Sequence, residues 1–362
     1  MKSIEQNIIA KEFSQSYREK IYKNTTQNNQ IVEYYKRFLV EEILKKEKSP
    51  SEINVLRNRM KRIENCNRFW FTETYESSHI KVLLKTYLCK EKFCNNCNQM
   101  KKIVLQNRFV PYLEKYKKSL YHKVFTVPDC KAEKLGITIQ HMSSCFKTLV
   151  SYLNGNKKVN GIDLVKYGFQ GSLRSLEITY NKDLYHPHFH VAAVFKSNDN
   201  DIEQKSIKNV FSGAGNRLFS EFESIIQRIW WLLLNKKRLT HNNILCNDAL
   251  LGRYSCTVDK FHEDDYKKLF GYMTKMYGKD NSFMTYQNFK ALHNALFHIR
   301  QIQGYGVFYN NKAFHSESYI EQEYTLLENY LCFEEEPTNA YEPISRLAKK
   351  NDYTILKKTH LK

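Results

Sequence analysis

The sequence predicts an α+β fold, on three observations. Residues 173–195, LRSLEITYNKDLYHPHFHVAAVF, read as two β-strands joined by a polar turn at Asn181, Lys182 and Asp183. Apolar residues at helical spacing lie on both sides of that hairpin, over 135–153 and again over 218–233. Ahead of both, the spacing Cys89-x4-Cys94-x2-Cys97 marks a small metal-binding part.

Composition narrows the partners. The 362 residues carry 57 Lys+Arg against 38 Asp+Glu, a net charge of +19, which argues for a polyanion. A membrane surface is the competing polyanion, but no run of about 18 apolar residues occurs, and IIQRIWWLLL is interrupted by Gln227 and Arg228. The opening MKSIEQNIIAKEFSQ lacks the apolar core of a signal peptide. Nine cysteines, an odd number that includes a tight cluster, suit a reducing cytoplasm and metal binding rather than disulfides.

In chain order, Tyr34, Tyr35, Phe38, Leu39, Ile43 and Leu44 predict a short amphipathic helix in an N-terminal extension without assignable chemistry. Ser49–Glu52, SPSE, is a break that caps a following helix. The three clustered cysteines need a fourth ligand, for which Cys66 in RMKRIENC is the candidate; four thiolates leave no open position, so the site is structural zinc. Lys101, Lys102 and Arg108 then form a basic helix face. YHKVFTVP, residues 121–128, is a strand ended by Pro128. The helix over 135–153 has Ile139, Met142, Phe146, Leu149 and Leu153 as its stripe, and NGNKKVNG is a basic connection to the hairpin. Beyond the hairpin, Leu218, Phe222, Ile225, Ile226, Ile229, Trp230 and Leu233 predict a buried helix face, with Trp230 in the core. A strand is read within residues 251–261, before the acidic turn HEDD.

The hairpin carries the chemistry. His186, His188 and His190 recur every second residue, so they share one strand face opposite Pro187 and Phe189. Imidazoles held side by side are a ready pair of metal ligands. Pairing within the hairpin can bring the Glu177 carboxylate beside them. Two histidines and one carboxylate leave coordination positions open for substrate oxygens.

This stretch resembles the HUH motif (His, hydrophobic, His) of rolling-circle plasmid replication initiators, through His188-Phe189-His190 within YHPHFHV and the upstream LEITY. The resemblance makes His188 and His190 the metal ligands, Glu177 the third and His186 an extra histidine. It also covers the cysteines, since these initiators carry an arginine-methionine…cysteine stretch before a C-x4-C-x2-C cluster, which supports Cys66. Their usual proline after the second cysteine is Asn95 here.

A nicking enzyme also needs a nucleophile on a rigid element near the metal. Residues 265–280, DYKKLFGYMTKMYGKD, read as a helix stopped by Gly278, and they offer Tyr272, Tyr277, Lys275 and Lys279. With 25 tyrosines in the chain, a tyrosine alone means nothing. The initiators, however, carry a similar helix with a lysine followed by a tyrosine nucleophile. Aligned without gaps, Lys275, Gly278, Lys279 and Asp280 match, while Met276 occupies the nucleophile position and Tyr277 follows it. Residues 272, 275, 276 and 279 share a helix face, which favours Tyr272 over Tyr277. Residues 288–299 read as a further helix and 305–309 as a closing strand, which continues the resemblance to about residue 312.

The resemblance implies a central antiparallel β-sheet that carries the HUH metal site, flanked by helices, with an N-terminal zinc-binding part. The expected domains are residues 1–54 as a variable extension, 55–120 as the zinc-binding region, 121–312 as the HUH endonuclease domain and 313–362 as a C-terminal tail. The implied activity is metal-dependent nicking of one strand at a plasmid origin, with a 5′-phosphotyrosine intermediate and strand transfer at termination. Mg²⁺ or Mn²⁺ and structural Zn²⁺ are the cofactors. Single-stranded and hairpin origin DNA, a host DNA polymerase and a helicase are the partners, with no membrane. An HUH transposase of an insertion sequence and a zinc-containing DNA-binding regulator with an inactive nuclease site are the competing readings. Flanking DNA separates the first of these, and covalent capture of an oligonucleotide excludes the second.

Overall fold

The structure is a computed structural model. It describes residues 4–66, 69–75, 80–86, 88–196, 202–208, 218–245, 256–262, 265, 269–270, 283–309, 332–334 and 354–360. The chain divides into two compact units, Met1–Val104 with Ser316–Lys362, and Leu105–His315.

The first unit opens with α1 (Ile4–Lys45) and α2 (Pro50–Glu64). The expected short helix is in fact 42 residues long, with neither Gly nor Pro to interrupt it. Pairs such as Lys36–Glu33 and Arg37–Glu41 line its exposed side. Ile31, Tyr35, Phe38 and Leu39 are buried, whereas Ile43 and Leu44 of the expected stripe are exposed. Between the helices Ser49 and Glu52 form a reciprocal capping box with Pro50 in the first turn, so the SPSE break starts α2 as its residues dictate. β1 (Phe69–Tyr75) and β2 (Ile80–Thr86) pair antiparallel; Cys332–Glu334 joins β2 antiparallel and Thr354–His360 joins β1 in parallel. The helix α3 (Asn95–Glu114) starts in this unit.

The second unit is built on an antiparallel sheet. Its strands are β3 (Leu120–Thr126), the short β4 (Cys130–Lys131), β5 (Phe169–Asn181), β6 (Leu184–Phe195), β9 (Cys256–Lys260) and β10 (Ile302–Gly306), in the order β10-β5-β6-β3-β9 with β4 beside β6. The fold is therefore α+β with a central antiparallel sheet flanked by helices. Those helices are α4 (Ala132–Leu153), α5 (Glu221–Leu234), the short α6 (His241–Leu245) and α7 (Tyr286–Ala295); β7 (Ile207–Lys208) and β8 (Leu218–Phe219) form a separate two-stranded piece.

Helices cover one face of the sheet. The α4 stripe Ile139, Met142, Phe146, Leu149 and Leu153 is buried. Phe146 meets Phe125 and Phe189 edge-on, and Trp230 of α5 meets Phe125 and donates its indole N–H to Thr126 O at 2.9 Å. Each such ring adds about 2–3 kcal/mol of burial. Leu218, expected in the helix, lies in β8 instead because Ser220 caps α5 in a reciprocal box with Glu223. The same fully buried Glu223 accepts the backbone N–H of Val258 at 2.8 Å, which ties the edge strand β9 to α5. On the opposite face, Leu105, Phe109 and Leu113 of α3 cover Leu173, Ala192 and Val194 together with Leu269 and Phe270. The expected closing strand at 305–309 runs instead over Ile302–Gly306, because Gly306 turns the chain at φ +59°.

Candidate metal centres

The hairpin β5–β6 closes through two residues, Lys182 and Asp183, with Lys182 in the left-handed region at φ 51°. That turn sets Glu177 opposite His188 and Ser175 opposite His190. Strand alternation turns Leu176, Ile178 and Phe189 to the core and leaves Glu177, His188 and His190 together on the other face, all buried. One oxygen, Glu177 Oε2, lies 3.0 Å from His188 Nε2 and 2.9 Å from His190 Nε2. Burial pushes the Glu177 carboxyl up, but hydrogen bonds from the two imidazoles and their charge outweigh it and hold the group at about 2.

Both rings present Nε2 to the carboxylate and engage Nδ1 elsewhere. His188 Nδ1 faces the carbonyl of His186 at 3.2 Å, and His190 Nδ1 lies 3.1 Å from His122 Nε2. Outer partners of this kind orient metal-ligating histidines. The three donor atoms lie within 4.8 Å of one another, a set that fits one divalent ion. His186, the extra histidine, turns away to Asp129 at 2.8 Å.

His122 is the functional neighbour that sequence reasoning missed. On β3 it stacks on His190 with ring centroids 5.3 Å apart, and its Nδ1 faces Asp265 Oδ1 at 3.3 Å. A histidine alternating with a lysine in LYHKVFT gives no face preference; only the β3–β6 register, His122 opposite Ala192, brings it diagonally to His190.

In the first unit Cys66, Cys89, Cys94 and Cys97 are all buried and their Sγ atoms converge. The pairs Cys66–Cys97, Cys89–Cys97 and Cys66–Cys94 are 3.6, 3.6 and 3.4 Å apart. A tetrahedron with metal–sulfur bonds of about 2.3 Å has edges of about 3.8 Å, so four thiolates fit a zinc ion with little movement. Burial opposes ionisation of Cys94, yet hydrogen bonds from Cys66, Cys89 and Cys97 bring its thiol well below the usual range. Those of Cys66 and Cys97 go up. Backbone N–H groups of Cys89 and Lys90 point at Cys66 and Cys97 sulfur at 3.5 and 3.2 Å. Asn28 of α1 donates to Cys94 Sγ at 3.2 Å and accepts from the N–H of Asn95 at 2.8 Å.

Tyr272, Lys275, Tyr277 and Lys279 lie outside the described residues. Just ahead of them, Phe270 stacks on Phe109 with centroids 5.7 Å apart.

Residues 80–211, which hold three of the four clustered cysteines and the whole histidine hairpin, match the family described as "Replication protein". This segment is similar to that family. The replication-protein match excludes Cys66 and residues 272–279. The chain is 32% identical over 149 residues to "Protein rep" of Staphylococcus aureus, covering 39% of this chain and 60% of that protein. It is 28% identical over 171 residues to "Protein rep" of Streptococcus pneumoniae serotype 2, covering 45% and 47%, and 31% identical over 144 residues to "Protein rep" of Bacillus amyloliquefaciens, covering 38% and 39%. The chain thus spans less than two thirds of each of these relatives. No solved structure matches it. Among the described residues no helix is long and apolar enough to cross a membrane.

Proposed function

We propose that this chain initiates rolling-circle replication of a plasmid by nicking one strand of origin DNA. The observation that carries the reading is the convergence of Glu177, His188 and His190 on one buried point, inside the segment that matches replication proteins. Glu177, His188 and His190 would hold Mg²⁺ or Mn²⁺, which when bound would supply Lewis-acid polarisation of the scissile phosphate. Glu177 is the third ligand beside the two imidazoles, and the paired strands hold all three groups rigid.

Tyr272, or failing that Tyr277, is the nucleophile. Its phenolic oxygen forms a bond to phosphorus as the bond from phosphorus to the 3′ oxygen breaks; the phenolic proton is lost and the departing 3′ oxygen gains one. Lys275 and Lys279 stabilise the phenolate and hold flanking phosphates. The freed 3′ hydroxyl primes synthesis by a host polymerase behind a helicase, and reversal of the phosphotyrosine bond joins the strand at termination. Phosphate affinity comes from the net charge of +19. The cysteine site would hold structural zinc.

Incubation with single-stranded origin DNA and Mn²⁺ tests the reading. The wild type should form a covalent adduct of increased mass, and Tyr272→Phe should lose it if Tyr272 attacks. If both tyrosines are needed, the second performs the terminating transfer. An adduct that survives in the Tyr272→Phe/Tyr277→Phe double variant places the nucleophile elsewhere. Absence of any metal-dependent adduct from the wild type favours the regulator.

A further inference from the structure

We propose that His122 and Asp265 are positioning residues that fix the tautomer of His190 for metal binding; the proposal rests on the metal-site reading above. His190 can offer Nε2 to a metal only as the tautomer that carries its proton on Nδ1. A buried N–H at Nδ1 needs an acceptor, and His122 Nε2 lies within reach of it at 3.1 Å. His122 Nε2 accepts only when the His122 proton is on Nδ1, and that atom faces Asp265 Oδ1 at 3.3 Å. Asp265 is itself held, because its Oδ2 accepts the backbone N–H of His262 at 2.9 Å while its own N–H donates to His262 O at 3.0 Å. All three side chains are buried, so water does not readily replace a missing link.

The rings also hold one another in place. His122 and His190 are nearly parallel, 8° between planes, and Phe261 meets His122 edge-on at 6.1 Å. The stacked geometry fixes which edge of each imidazole faces its neighbour, while the direction of the proton chain is set by Asp265, whose carboxylate can only accept. His188 reaches the same end by a different route, since a main-chain carbonyl serves its Nδ1. A carbonyl can only accept, whereas His122 must be told which nitrogen to protonate. Asp265 does that.

The test uses the full chain and two readouts besides nicking. Mn²⁺ affinity is measured from the electron paramagnetic resonance signal of free Mn²⁺, and ring protonation from long-range ¹H–¹⁵N correlation of ¹⁵N-histidine protein with Mg²⁺. Wild-type His190, assigned with His190→Gln, should carry its proton on Nδ1. His122→Phe keeps the stacked ring but removes the acceptor; Mn²⁺ should bind about 10–100-fold more weakly. His122→Gln, whose amide oxygen can accept, should recover part of the loss, and Asp265→Asn should weaken binding less than His122→Phe. His190 protonated on Nε2 in the Mg²⁺-loaded wild type overturns the proposal whether or not the variants fold. So does Mn²⁺ affinity in His122→Phe within twofold of wild type while His190→Gln has lost it. If His190→Gln binds Mn²⁺ as the wild type does, the metal-site reading itself falls, and the proposal with it.

Discussion

The two candidate metal centres solve opposite problems. The cysteine site draws four buried sulfurs from α2's end, a loop and the start of α3, and these satisfy a tetrahedral ion completely. The histidine site draws three ligands from one rigid hairpin and leaves room for substrate oxygens. In the first, an ion would tie the end of α2 to the loop and to α3, alongside the ion pair between Arg62 and Glu91. In the second, the ligands sit on strands already paired to each other, and an ion would serve the proposed chemistry. Removing ligands should therefore cost structure at one centre and reaction at the other.

The largest effect is expected at the cysteines. Structural zinc binds with roughly 10–16 kcal/mol of free energy that doubles as folding free energy. Cys94→Ser should lose about one zinc per chain by elemental analysis and lose the cooperative unfolding of the first unit. A zinc-free variant with unchanged thermal unfolding would dissolve the contrast.

His188→Ala should do the reverse. Nicking should fall by about a thousandfold or more, beyond about 4 kcal/mol, while binding to duplex origin DNA and the melting temperature stay close to wild type. The reason is that affinity rests on phosphate contacts and the sheet on its apolar face. Wild-type nicking by this variant would remove the histidines from the chemistry.

A smaller and pH-dependent effect separates the centres again. Glu177 titrates near 2 in the fold against an ordinary 4.5. A depressed carboxyl contributes stability that is complete above 4.5 and lost as pH falls through 2, about 3 kcal/mol at most for this shift. Glu177→Gln should flatten the acid limb of the second unit's stability between those values. An unchanged slope would mean that Glu177 is not held by the two imidazoles.

What could be read from the sequence depended on whether its cause was local. Alternation placed His188 and His190 on one face before any partner strand was known, and the cysteine spacing announced a knuckle. Glu177 could be named because it lies in the other strand of the same local hairpin, but the three-residue turn read from the sequence would set it opposite Pro187; the turn has two residues and sets it opposite His188. His122 and Asp265 could not, since their meeting with His190 depends on pairing between strands more than sixty residues apart. The length of α1 was missed for a different reason: its apolar spacing is too irregular to announce 42 residues, and the helix runs on through the polar stretch NTTQNNQ, which carries no periodic signal.

That helix also carries the smallest predicted effect, because the apparent extension reaches into the cysteine site. Asn28 is buried, donates to Cys94 Sγ and accepts the first N–H of α3, one of the donors that a helix leaves unpaired. A hydrogen bond to a charged sulfur is worth about 1.5–3 kcal/mol. Asn28→Ala should therefore speed zinc release to a chelator by roughly tenfold or more, without loss of fold. Asn28→Asp is the sharper test. It keeps an acceptor for Asn95 but sets a carboxylate against the thiolate of Cys94, so zinc should be released faster than from Asn28→Ala. If Asp is the milder of the two, the contact to Asn95 matters more than the contact to sulfur, and α1 then supports the helix rather than the metal.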